Sequence, residues 1–325
     1  MSLRVLSASD VRLALPMPEA ISGMKQAFAQ LSAGQAQMPL RSRIENQQGT
    51  LLLMPVYLEQ ADSLAMKLVT VFPNNRDLPV VQAMVMVVNP QTGAIEALLE
   101  GSTLTAIRTG AGAGAATDLL ARHDARTVAI IGSGVQARTQ LEAVCHVRAI
   151  EQVYVYSPNR THAERFAHDL RGRAPIPENI TVTEIANEAV RDADIVCTAT
   201  TSSTPCFDGR FLKVGAHVNG VGSYTPTMQE VDSYTITRAL VVVDSRQSAL
   251  AEAGDLVIPL ERGEITLEHL HAELGEIVSG TKVGRTDSNQ LTYFKSCGVA
   301  VQDAISATLA LKNAERLGLG QVIPL

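Results

Sequence analysis

Tryptophan is absent, and six tyrosines and six phenylalanines are the only aromatic side chains in 325 residues, so aromatic cages and base-stacking platforms are poorly supplied. A ligand is then held by polar side chains and backbone. Cysteine is also scarce: Cys145, Cys197, Cys206 and Cys297 form no C-x-x-C pair, and the histidines add no finger or ribbon spacing. Neither a structural metal nor a disulfide framework is signalled, and a reducing, cytoplasmic setting is expected. No apolar run approaches the roughly 20 residues needed to span a bilayer. Asp10 and Arg12 interrupt the stretch in which an export signal would need continuous apolar residues. Runs of like charge are missing too: 33 acidic and 27 basic side chains are interspersed, giving a formal charge of −6 and no stripe to coat a phosphate backbone. Membrane and nucleic acid are therefore not expected partners. What remains is a globular composition, 46% hydrophobic and 18% charged, long enough for one large core or two ordinary ones.

The chain reads in two grammars. Residues 7–32 are helical, with Val11, Leu15, Ile21, Met24, Phe28 and Leu31 recurring before Gly34. Strand-like runs follow at 50–57, 64–72, 80–89 and 94–99, separated by turn chemistry at 73–75 and 89–93, which predicts an antiparallel meander. Residues 103–123 form one helix, and its Gly- and Ala-rich stretch from Gly110 to Ala116 suggests a face approached by another backbone or a ligand. From Thr127 the pattern becomes strand, glycine turn, helix and strand, with further strands at 180–182, 195–198, 217–221 and 239–243. This predicts a parallel α/β domain. A last helix from about 296 to 317, closed by Gly318, returns to the first domain and makes that domain discontinuous.

Gly132, Ser133, Gly134, Val135, Gln136 and Ala137 spell G-x-G-x-x-A directly after a β-branched strand and at the start of a helix, the setting in which that pattern binds a dinucleotide. Gly132 permits the tight turn, Gly134 the approach of a pyrophosphate, and Ala137 close packing of helix on strand, with the helix N-terminus facing the anion. The second strand ends without the acid that would bind a ribose 2′-hydroxyl. Ser157, Arg160 and Thr161 stand there instead and can face a 2′-phosphate, so the expected cofactor is NAD(P), with NADP favoured over NAD. Lys67 lies in the apolar strand LAMKLVTVF. It is either a desolvated lysine able to exchange protons near neutral pH or an edge-strand lysine with its ammonium in water. Arg41 and Arg108 are candidate clamps for a carboxylate, although each taken singly also reads as a surface residue.

Together MPLR, AMKLVTVFP, NPQTG, LTAIRTGAGAGAA, IGSGVQA, GAHVNGVGSYTP, DSRQSALAEAGDL and FKSCGVAVQDA resemble the ornithine cyclodeaminase and μ-crystallin family along nearly the whole chain. The resemblance implies an α/β protein: a Rossmann doubly wound parallel sheet at 118–300, and an α+β dimerisation and substrate domain built from both chain ends, 1–117 with 301–325. It also implies a homodimer. By the same likeness Arg41 and Arg108 hold the substrate carboxylate, Lys67 stands beside the reacting carbon and nitrogen, and Thr109, Thr198, Ala199, Val221 and Ser296 lie near the cofactor. Asp303 either orients a cofactor or substrate group or braces the last helix.

One departure changes the expected reaction. Ornithine cyclodeaminases carry an acid after V-G-G, whereas this chain reads Val221-Gly222-Ser223-Tyr224. The expected function is therefore NAD(P)H-dependent reduction of an α-imino acid, cyclic or linear, to the amino acid, with the reverse dehydrogenation also open. An ammonia-eliminating cyclodeaminase and a μ-crystallin-like small-ligand binder are the alternatives. The side chain of the substrate is not named by the sequence, although Met54, Met66 and Tyr224 are candidates for lining the cleft.

Overall fold

The computed structural model describes residues 2–324. It divides into two compact units, one formed by residues 1–108 with 299–325 and the other by Thr109–Gly298. The first division falls inside a helix. The sequence-based boundaries, 117/118 and 300/301, lie slightly later in the chain.

The first unit begins with β1 (Ser2–Leu6), α1 (Ala8–Ala14) and α2 (Met17–Ser32). Where one helix was expected there are two, because Pro16 has no N–H to donate and instead caps α2 in extended conformation. Short strands β2 (Ala36–Gln37) and β3 (Ser42–Glu45) precede the meander β4 (Thr50–Leu58), β5 (Ser63–Val71), β6 (Val81–Val88) and β7 (Ile95–Glu100). Helix α3 (Gly101–Leu120) follows at once, its first turn capped by the Glu100 carboxylate, which accepts from the Ser102 and Thr103 amides.

The second unit carries β8 (Thr127–Ile131), α4 (Val135–Val147), β9 (Gln152–Tyr156), α5 (Arg160–Leu170), β10 (Ile180–Val182), α6 (Ala186–Arg191), β11 (Ile195–Thr198) and β12 (His217–Gly220). It continues through α7 (Ser233–Arg238), β13 (Leu240–Val243), α8 (Arg246–Glu252), α9 (Gly254–Glu261), β14 (Leu270–Glu273), α10 (Leu274–Val278) and β15 (Thr292–Lys295). These strands form one parallel sheet in the order β10-β9-β8-β11-β12-β15-β13-β14. The order reverses at β8, so the crevice beyond its carboxyl end is where a doubly wound sheet takes its ligand. Two apolar clusters cover the sheet faces, one around Val153, Phe166 and Ile195, the other around Val196, Val218, Val241 and Tyr293.

The chain then re-enters the first unit through α11 (Ala300–Leu317) and β16 (Gln321–Pro324). Gly318 ends α11 in the left-handed conformation at φ 68°, as its position predicts. The first sheet runs β16-β1-β7-β6-β5-β4-β2, with β3 also on β4. Helix α11 packs on β4, β5 and β6 and against α1 and α2. Alternation along the strands therefore turns Met54, Val56, Ala65, Lys67, Val85 and Val87 inward, whereas Leu64, Met66 and Leu68 lie on a half-exposed face.

Candidate active site

Lys67 sits at the middle of β5, in register with Met54 of β4 on one side and Val85 of β6 on the other. It is thus on a central strand, and only 3% of the residue is exposed. Its Nζ lies 2.6 Å from Oδ2 of Asp303, in the first turn of α11. The other carboxylate oxygen, Oδ1, accepts from Arg108 Nε at 3.1 Å, and Gln302 Oε1 accepts from Arg108 Nη1 at 3.0 Å. Lys67, Arg108, Gln302 and Asp303 are all buried. Arg41, half-buried just before β3, is near enough for its charge to act on Lys67.

Burial is the main cause that lowers the Lys67 ammonium from its ordinary value to about 8; Asp303 opposes the shift, while Arg108 and Arg41 add to it. The group therefore exchanges a proton close to neutral pH. Two buried cations, Lys67 and Arg108, here share one carboxylate. A second anion entering beside them is favoured, because it compensates charge that burial leaves unsolvated. Asp303 thus holds both Lys67 and Arg108 and by the same pairs ties the start of α11 to β5 and α3. Met66 does not share this face: it is next to Lys67 in sequence and so points to the opposite side of the sheet. Tyr224 is exposed, in the loop after β12.

In the second unit the predicted glycine turn is formed. Gly132 adopts φ +111°, and a Cβ there would stand 2.5 Å from the Ala199 carbonyl oxygen, so only glycine fits. Gly134 is the N-cap of α4, and its would-be Cβ meets nothing within 4 Å. No side chain caps α4, which leaves its first amides available to an anion. Gln136 presents a buried Oε1 with no partner, Val135 is exposed, and Ala137 is buried against the sheet. The glycine turn and the first amides of α4, which no described side chain caps, fit a dinucleotide pyrophosphate. The turn is tied to the end of β9, since Gly132 N donates to Tyr156 O at 2.8 Å and Ser133 Oγ to Ser157 Oγ at 3.1 Å.

The remaining candidates divide. Ala199 and Val221 are half-buried in the loops after β11 and β12. Thr109 is buried in α3. Thr161 is exposed at the start of α5. The hydroxyls of Thr198 and Ser296 are already committed, donating to the buried carboxylates of Glu230 and Asp244 at 2.9 Å each, so these two residues shape loops and do not offer a free hydroxyl. Arg160 is engaged as well: Nε lies 2.8 Å from Glu164 and Nη1 2.5 Å from Glu184.

The sequence reading passed over three buried acids. Glu230 accepts from Thr198 Oγ1, Thr200 N, Gly222 N and Ser223 N at 2.6–3.0 Å. Asp255 accepts from Glu230 N, Val231 N, Tyr293 OH and Lys295 Nζ. Asp244 accepts from the amides of Ser245, Cys297 and Gly298 besides Ser296. They pin the loops beyond the carboxyl ends of β11, β12, β13 and β15. The signal was an acid following an apolar strand, as in LVVVD. Glu230 does not replace the acid missing after Val221-Gly222, because both of its oxygens are occupied by loop donors. A pocket of about 440 Å³ beside Tyr156, Ile185, Cys206 and Phe207 includes none of the glycine-turn residues.

A glycine turn at a doubly wound sheet, together with a buried lysine, arginine and aspartate on the other unit, defines a dinucleotide-binding protein with a separate cationic site. The family profile described as ornithine cyclodeaminase/mu-crystallin matches residues 1–317. The chain belongs to that family. It is 43% identical over 324 residues to the Delta(1)-pyrroline-2-carboxylate reductase of Bacillus cereus, covering 98% of this chain and 99% of that one. The fold is similar to that of the Thermococcus litoralis Delta(1)-pyrroline-2-carboxylate reductase in complex with NADH and L-proline, with a TM-score of 0.93, 43% identity, and 98% and 99% of the two chains covered. It is also similar to an archaeal alanine dehydrogenase dimer with bound NAD, with a TM-score of 0.93, 31% identity and full coverage of both chains.

Proposed function

We propose that this chain is an NAD(P)H-dependent oxidoreductase that reduces an α-imino acid, such as 1-pyrroline-2-carboxylate, to the α-amino acid and can run in reverse as an amino acid dehydrogenase. The observation that carries the reading is the buried site in which the cations Lys67 and Arg108 share the one carboxylate of Asp303, with burial lowering the lysine to about 8. Arg41 and Arg108 hold the substrate carboxylate, which orients the C=N group. Asp303 and Gln302 keep Arg108 from turning and leave Lys67 beside the imine nitrogen, where its ammonium supplies a proton in reduction and its amine accepts one in oxidation. The bound dinucleotide supplies or accepts the hydride.

Residues 1–117 with 301–325 serve as the substrate and dimerisation domain, and 118–300 as the cofactor domain. Gly132, Gly134, Val135, Gln136 and Ala137 form the pyrophosphate turn, Ser133 and Ser157 lie beside the ribose, and the loops carrying Thr109, Ala199 and Val221 border the nicotinamide end. Ser157, Arg160 and Thr161 decide between NAD and NADP. The half-exposed sheet face bearing Leu53, Leu64, Met66, Leu68, Met84 and Met86 supports a homodimer. Among the described residues no helix is long and apolar enough to cross a membrane.

The test is the loss of near-ultraviolet absorbance of NADH and NADPH with 1-pyrroline-2-carboxylate, 1-piperideine-2-carboxylate, iminosuccinate formed in situ, and pyruvate with ammonia. Rapid oxidation with an imino acid is the expected result. Ammonia release from ornithine without net change in NAD(P)H would replace this reading with a cyclodeaminase, and ligand binding without any turnover would replace it with a binding protein.

A further inference from the structure

The end of β9 is built differently from what its sequence suggests. Of Ser157, Arg160 and Thr161, the residues available to a 2′-phosphate, Arg160 is the charged one, yet its guanidinium is held from two sides, by Glu164 one helical turn along α5 and by Glu184 from the loop after β10. Glu184 is brought there by the sheet: β10 pairs with β9 in parallel, Val182 is opposite Val155, and Thr183 N donates to Val155 O at 2.9 Å. The first-turn amide of His162 is likewise taken, by the Asn159 side chain. Only two residues separate Arg160 from Ser157, whose hydroxyl meets that of Ser133 in the glycine turn.

A phosphate at this corner carries up to about two negative charges. It would have to displace two carboxylates from Arg160 and then remain beside them. A ribose with a free 2′-hydroxyl meets no such obstacle, and the Ser157 hydroxyl is placed to bond to it. We infer that Glu184, acting with Glu164 through Arg160, is a specificity-determining residue that makes the site prefer NADH to NADPH. This rests on the dinucleotide reading of the glycine turn, and it reverses the preference for NADP drawn from the sequence.

The experiment compares dissociation constants for NADH and NADPH, by nucleotide fluorescence, in the full-length wild type, in Glu184→Gln, in Glu164→Gln/Glu184→Gln, and in that pair combined with Arg160→Ala. The wild type should bind NADH more tightly. Removing both acids should move the ratio toward NADPH by about 1.4- to 5-fold for each pair lost, the range of exposed ion pairs, and adding Arg160→Ala should abolish the gain. Tighter binding of NADPH by the wild type, or a ratio unmoved in the paired variant, overturns the inference. Because binding is read directly, the two proposals fail separately: a shifted ratio with no imine reduced rejects only the imino acid reading, and imine reduction with an unmoved ratio rejects only the filter.

Discussion

Lys67 is a cation kept where water cannot reach it, and its chemistry follows from what surrounds it. With the ammonium as proton donor, kcat/KM for reduction should be level below about pH 8 and fall above it, while oxidation should rise through the same pH, since each direction needs the opposite protonation state. Lys67→Ala should lower turnover by roughly 10²–10⁴ and erase that limb; a pH–rate profile that keeps the limb in the variant would remove Lys67 from proton transfer. Asp303→Asn should shift the limb to lower pH, because the carboxylate that favours the charged lysine is gone. The same change leaves Arg108 buried without its counter-charge, and breaking a buried pair in this way costs about 3–5 kcal/mol. Thermal unfolding followed together with the pH profile separates the two effects. A single sequence shows that the strand neighbours of Lys67 are apolar, and leaves open whether its ammonium is buried or in water. It does not show Asp303 as the partner, because a pairing across 236 positions is fixed by the return of α11 and not by any local pattern.

Two glycines carry predictions at the scale of the element. Gly132→Ala places a methyl group against the Ala199 carbonyl in a backbone conformation that side chains avoid, and should abolish dinucleotide binding in a fluorescence titration. At Gly110 a Cβ would stand 2.5 Å from the Thr139 backbone of α4, which bears out the expectation that another backbone approaches the Gly/Ala stretch of α3. Gly110→Val should cost about 1–3 kcal/mol as overpacking and lower Tm by several degrees. The glycine turn, the meander and α3 were legible because each shows in local period and punctuation. Strand β15 was not: TYFK is four residues long, and it enters the sheet between β12 and β13 although it follows both in the chain. The second carboxylate on Arg160 was not legible for a related reason, since Glu184 reaches it only through the pairing of β9 with β10.

At the scale of the whole molecule, the sheet face opposite Lys67 is apolar and half-exposed, with Leu53 opposite Leu68 and Met66 opposite Met86 in register. Met66→Glu on that face should convert a dimer to monomers in light scattering while leaving the dinucleotide affinity of the second unit in place. An unchanged mass would move the interface elsewhere.

The re-entry of α11 also orders events during synthesis. Arg108 leaves the ribosome 195 residues before Asp303, a delay of roughly 10–40 s at ordinary elongation rates. Throughout that interval β4, β5 and β6 have no helix to cover them, and Lys67 has no carboxylate to admit it to a core. A chain interrupted before α11 therefore lacks both Gln302 and Asp303, and leaves Lys67 and Arg108 without the groups that pair them.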